Sequence, residues 1–181
     1  MASIEAKFQQ KPVSNMQKYS LGAQVGLRIL AVVGTLAATT VMGTNKQSTV
    51  VYGLAIDARY SYSSAFKFFV IANGIACAFT ALSLVSTFIL SRRGSKPNSF
   101  FFLFLHDLFV MSLVMAGSAA ATAIGYVGRY GNSHTGWMPL CDHFGKFCNK
   151  STAAVLLSYL SFIFLLLLTI ISANRSRQIQ V

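Results

Sequence analysis

Charge is scarce in this sequence, and negative charge is scarcest. Of 181 residues only 10% are charged, and just four are acidic: Glu5, Asp57, Asp107 and Asp142. A soluble domain carries roughly 25% charged residues, because it must clothe its surface in water-binding groups. This chain cannot, which excludes an ordinary soluble globule. Cysteine is also sparse, with three residues and no CxxC pair, so the signature of a membrane thiol oxidoreductase is missing. No GxSxG, HExxH, P-loop or solenoid repeat occurs either. The expectation is a non-enzymatic protein with no cofactor and no metal.

Positive charge is the exception, with fifteen Lys and Arg and a net charge of +11. These residues are spread through loops and ends rather than gathered on a stripe, and no nucleic-acid module is recognisable. Nucleic acid is therefore not the expected partner. Basic residues beside hydrophobic spans set topology and touch anionic membrane lipid.

Apolar residues are what the chain has in abundance: 54% of the total, for a mean hydropathy of +0.57. They gather into four runs, about Gly22 to Met42, Phe68 to Leu90, Phe100 to Val127 and Ala153 to Ala173. Each meets the ~20 apolar residues needed to cross a hydrocarbon core ~30 Å thick, and the third is long enough to tilt or project. A β-barrel would show strands of ~10 residues with alternating polarity. Runs such as Phe162 to Leu168 are apolar on every face, so helices are expected. The fold class is all-α integral membrane, a four-transmembrane-helix bundle over residues 22–173.

Residues 1–21 read as a disordered tail and residues 174–181 as a second short tail. The first tail has no compact apolar core with a small-residue cleavage site, and Ala2 stands where myristoylation needs glycine. The first span then serves as an uncleaved signal anchor. Eight basic residues lie in the two tails and the short 91–99 link, against six in the longer opposite loops. The positive-inside rule therefore predicts both termini in the cytosol. In the first outer loop, Val50 to Ile56 suits either a short hairpin or an extended loop.

Two opposite charges fall inside spans. Arg28 lies about six residues into the first and Asp107 about seven into the third. With both spans leaving the same side, each charge sits roughly 9–11 Å deep at 1.5 Å per residue. Isolated charges cost ~2.5–3.5 kcal/mol each at a helix centre, and an Arg–carboxylate pair offsets much of that. An intramembrane salt bridge tying helix one to helix three is predicted. The competing picture has Arg28 snorkelling to headgroups while Asp107 meets water or a hydroxyl. A proton or ion relay through His106 and Asp107 is a third, but no second carboxylate or basic group occurs in spans two or four.

Cys141 and Cys148 share the second outer loop, where an oxidising compartment favours a disulfide. Zinc held by Cys141, His143 and Cys148 is the alternative, at a spacing that matches no strong zinc pattern. Cys77 reads as a packing residue. Trp137, Phe144 and Phe147 make this loop either a membrane-interface anchor or a partner-binding face. Asn149-Lys150-Ser151 is a glycosylation sequon close to span four. Gly22 and Gly26, and Gly117, Ala121 and Gly125, form small-residue stripes that favour helix packing, within the bundle or between copies.

Taken in order, several fragments resemble the plant Casparian strip membrane domain-like (CASP-like) proteins, relatives of MARVEL domains. They are Gly26-Leu27-Arg28-Ile29-Leu30, Leu105-His106-Asp107-Leu108, the Ser64 to Asn73 segment, and the loop holding Trp137, Cys141, Phe147 and Cys148. The resemblance implies plasma-membrane residence, cytosolic termini and homo- or hetero-oligomers with related proteins. It also implies a platform that excludes other proteins and guides cell-wall enzymes, making extracellular cell-wall proteins candidate partners. The first outer loop lacks the extended signature of strip-forming members, so the broader scaffold role is the one expected. A small channel or transporter using the Arg28–Asp107 region, and a MARVEL-like membrane-apposition or trafficking factor, are the alternatives.

Overall fold

A computed structural model describes residues 2–51, 53–93 and 97–178, and places side chains for 21–50, 53–89 and 101–174. Lys96 of the middle link and residues 179–181 of the C-terminal tail lie outside the described residues. So do the side chains of Lys7, Lys11, Lys18, Arg92, Arg93, Arg175 and Arg177.

Four long helices carry the fold: α1 Ala2–Gly43, α2 Ser64–Arg93, α3 Pro97–Tyr130 and α4 Gly145–Gln178. Each contains an apolar stretch long enough to cross a bilayer: Leu21–Gly43, Ser64–Ile89, Phe101–Tyr130 and Gly145–Asn174. Helix is the natural state for such runs, because lipid offers the backbone no hydrogen-bond partners.

Helix continues past the expected boundaries. The stretch before Gly22, expected as a disordered tail, is the first half of α1. Once a turn exists, each added residue costs little, and Ala, Glu, Lys and Gln there are good helix formers. The C-terminal tail is likewise helical as far as Gln178. At its other end α4 starts eight residues earlier than its apolar run, because Phe147 turns inward and is buried there.

The helices form a closed ring in which each packs on its sequence neighbours and α4 returns to α1. Contacts between residues near the starts of the α1 and α3 apolar windows and near the ends of those of α2 and α4 fix an up-down-up-down order. The start of the α1 apolar stretch and the end of that of α4 therefore share one end of the bundle. At the opposite end, β1 (Lys46–Val51) and β2 (Leu54–Arg59) form an antiparallel hairpin with Val51 opposite Leu54. Gly53 supplies the positive φ, 82°, that the tight turn requires. Of the two states open to Val50–Ile56, the hairpin is the one adopted.

The cross-section is inverted relative to a soluble bundle. Val33 and Leu82 are 60% and 63% exposed, whereas Arg28 and Asn73 are fully buried. Such an outside needs lipid, and such an inside needs partners for its polar groups. Two apolar clusters fill much of the interior. One joins Ala31, Ala76, Val110, Val114, Leu165 and Leu168; the other, nearer the hairpin, includes Met42, Phe69, Ala121 and Phe144.

Candidate functional site

Four helices meet at one buried polar layer. Arg28 on α1 donates from Nη1 to Asp107 Oδ1 at 2.9 Å and from Nη2 to Oδ2 at 2.8 Å, a bidentate pair on α3. Nη1 also donates to Ser83 Oγ on α2, and Ser172 Oγ on α4 donates to Asp107 Oδ2 at 2.9 Å. The pair ties helix one to helix three as expected, and because α1 and α3 are not neighbours in the ring it bridges a diagonal. Sequence depth alone could not show this, because depth says nothing about order around an axis. Ser83 and Ser172 were not foreseen. Their signal was a hydroxyl in an otherwise apolar run, which many spans carry without consequence.

His106 lies beside the pair but does not extend it. Its Nδ1 is 3.5 Å from Asp107 Oδ1, and that nitrogen makes no hydrogen bond among the described residues. Its ring packs on Phe79 with centroids 5.7 Å apart. The 3.5 Å separation is a contact too long for a directed bond. Toward the hairpin, the apolar cluster of Ala31, Val110 and Leu165 separates this layer from the next polar one.

That second layer was missed entirely. Ser118 Oγ and Ser158 Oγ are 2.8 Å apart, Ser158 Oγ donates to Asn73 Oδ1 at 2.8 Å, and Asn73 Nδ2 donates to Phe69 O at 3.0 Å. Each group satisfies another, as burial in an apolar medium demands. A third layer ties the α1–β1 connection and β1 to the start of α4: Asn45 Nδ2 donates to Phe147 O and Ser151 Oγ at 2.8 and 2.9 Å, and Phe147 N donates to Gln47 Oε1 at 2.7 Å.

The small-residue stripes divide. Gly117 brings α3 onto α2, with Ala72 Cβ 3.0 Å and Phe69 Cα 3.5 Å from where a Cβ would stand, and Ala121 is buried nearby. Gly22, Gly26 and Gly125 have nothing within 4 Å of that position among the described residues, so they make no close helix contact there. Among the helix glycines the closest neighbour belongs to Gly34, whose added Cβ would collide with Ser161 Oγ on α4.

Between α3 and the first turn of α4, Cys141 and Cys148 form a disulfide with Cα atoms 5.8 Å apart. Neither is then a thiolate for zinc, which removes the Cys141–His143–Cys148 alternative. Cys77 is half-buried, with Sγ 3.8 Å from Val32 O. Trp137 is exposed, but Phe144 and Phe147 are buried in the core. They cannot form an exposed partner face with it, because the disulfide turn folds them inward under the hairpin. Asn149 is exposed within the first turns of α4. On β2, the hydrogen bond from Arg59 to Asp57, joined by Tyr62, holds the Asp57 carboxyl below the usual carboxylate range.

Residues 18–164 match the Casparian strip membrane protein domain. The chain is 59% identical to CASP-like protein 1F1 of Vitis vinifera, over its whole length and 88% of that protein. It is 54% identical to CASP-like protein 1F1 of Ricinus communis and 52% identical to CASP-like protein 1F2 of Populus trichocarpa, covering each chain completely. No solved structure matches it. With four helices apolar enough to span a bilayer, and a polar layer that joins all four, the chain is a multi-pass membrane protein that belongs to the CASP-like family.

Proposed function

We propose that this protein is a non-enzymatic plasma-membrane scaffold that self-associates to organise a membrane patch and recruits cell-wall-modifying proteins through its outer end. Both termini face the cytosol in this reading, and the hairpin and the Trp137 loop face outward. The observation that carries it is the closure of the Arg28–Asp107 layer. Both guanidinium Nη atoms meet the carboxylate and Ser83 and Ser172 take up further bonding capacity, while Arg28 Nε is buried without a partner among the described residues. Charges so consumed hold helices rather than move ions.

A conduit would need titratable groups or water continuing past this layer. Beyond it stands the apolar cluster of Ala31, Val110 and Leu165, then a layer of Asn73, Ser118 and Ser158 that carries no ionisable group. Scaffold behaviour also fits the surface, where Gly22 and Gly26 leave α1 open to close approach by another helix.

Bleaching recovery in a cell membrane and sizing in mild detergent test the proposal together. Slow recovery and oligomers are expected; fast recovery with monomers would overturn it. Ion flux into liposomes containing the purified protein should stay at background. A robust flux abolished by Asp107→Asn would make the conduit the better reading.

A further inference from the structure

A cavity of about 310 Å³ lies at the hairpin end, between β2, the start of α2, the end of α3 and the start of α4. That is the lower end of the ~300–1,000 Å³ typical of small-molecule sites, room for one chain or ring system. Its wall is apolar, with Ile56, Phe66, Ile124 and Phe144. Gly125 and Gly128 leave part of it as bare helix backbone, and a Cβ on either would meet nothing within 4 Å.

Depth says what such a cavity would hold. Phe66 is the third residue of its apolar window, and Ile124, Gly125 and Gly128 are among the last seven of theirs, so the floor lies at the edge of the hydrocarbon region. The rim, with Asp57, Arg59 and Tyr62, belongs to no apolar window and stands at headgroup level.

Charge at the rim is uneven. Both Asp57 oxygens are occupied: Oδ2 accepts from Arg59 Nε at 2.7 Å and from Tyr62 Oη at 3.0 Å, and Oδ1 accepts from Tyr62 Oη at 3.2 Å. Arg59 uses only Nε among the described residues, its side chain is 55% exposed, and Lys46 stands opposite it on β1. The rim therefore has cationic donors to spare and no spare carboxylate.

We propose that this cavity binds an amphiphile, with one acyl chain against Phe66 and Phe144 and an anionic carboxylate or phosphate head on Arg59. Two sources share that chemistry, a free fatty acid and an anionic phospholipid of the adjoining leaflet. The disulfide lies in the wall, since Cys148 lines the cavity and Cys141 is its partner.

The full-length protein in phosphatidylcholine vesicles is exposed to one of three diazirine-tagged probes: a fatty acid, phosphatidylglycerol or diacylglycerol. Crosslinked peptides are then mapped by mass spectrometry. Labelling of segments 56–66, 124–128 and 144–151 by either anionic probe is expected, and whichever probe labels identifies the source. Filling the space with Gly125→Leu or Gly128→Leu should cut that labelling about tenfold, while Gly22→Leu, at an open glycine on the other end, leaves it unchanged. Arg59→Gln should weaken labelling by the anionic probes to the diacylglycerol level. Absence of label in these segments, equal label in the filled variants, or equal label by the neutral probe would overturn the proposal.

Discussion

Arg28 and Asp107 face each other across the bundle rather than along a shared helix contact, and their paired bonds of 2.9 and 2.8 Å cross its interior. A pair so placed couples two helices that are not neighbours in the ring. Its loss would loosen the ring as a whole.

Removing one member leaves the other charge buried. Asp107→Ala or Arg28→Ala should destabilise the protein by ~3–5 kcal/mol, whereas the double change Arg28→Met with Asp107→Leu should restore most of the loss. Thermal unfolding in a mild detergent measures both. A double variant as weak as the singles would mean that the charges serve something besides each other.

The glycines should sort by what faces them. Gly34→Val drives a side chain into Ser161 on α4 and should cost ~1–3 kcal/mol by overpacking. Gly22→Ile and Gly26→Ile meet open space and should leave the melting temperature unchanged while reducing energy transfer between labelled copies. Undiminished transfer would remove this face from the contact.

Reduction of Cys141–Cys148 releases a short loop at the hairpin end of the bundle. The entropic stabilisation lost is under ~3 kcal/mol and falls on that loop. Hydrogen exchange over residues 131–147 should quicken in Cys141→Ser, with little change in the middle of α2 and α3. A global loss of protection would show the loop to be part of the bundle's cooperative unit.

Acid should loosen the hairpin. Hydrogen bonding by Arg59, then Tyr62, lowers the Asp57 pKa in the folded state. A lowered folded-state value means the stabilisation is fully present above the unfolded pKa and is lost as pH falls through the folded one. Amide exchange in residues 46–59 should therefore show increased opening only in acid, and Asp57→Asn should abolish that pH dependence.

Four spans, their alternation and the matched depth of Arg28 and Asp107 could be read from residue order alone. Transfer into lipid is a sum over a segment, and depth is a count of residues from its end. Direction around each helix axis could not be read in this way. Lipid and protein core are both apolar, so in span 153–173 the inner side differs from the lipid side mainly by a few hydroxyls, Ser158, Ser161, Thr169 and Ser172, a contrast too weak to read before the packing is known. Tertiary packing alone decided that α1 and α3 lie on a diagonal, that Gly34 rather than Gly22 meets another helix, and that Asn73 finds Ser158. It also turned Phe144 and Phe147 inward and left Trp137 outside, because loop side chains take their direction from the disulfide and from backbone bonds such as Asn132 N to Trp137 O. Composition selects the solvent; only contact selects the face.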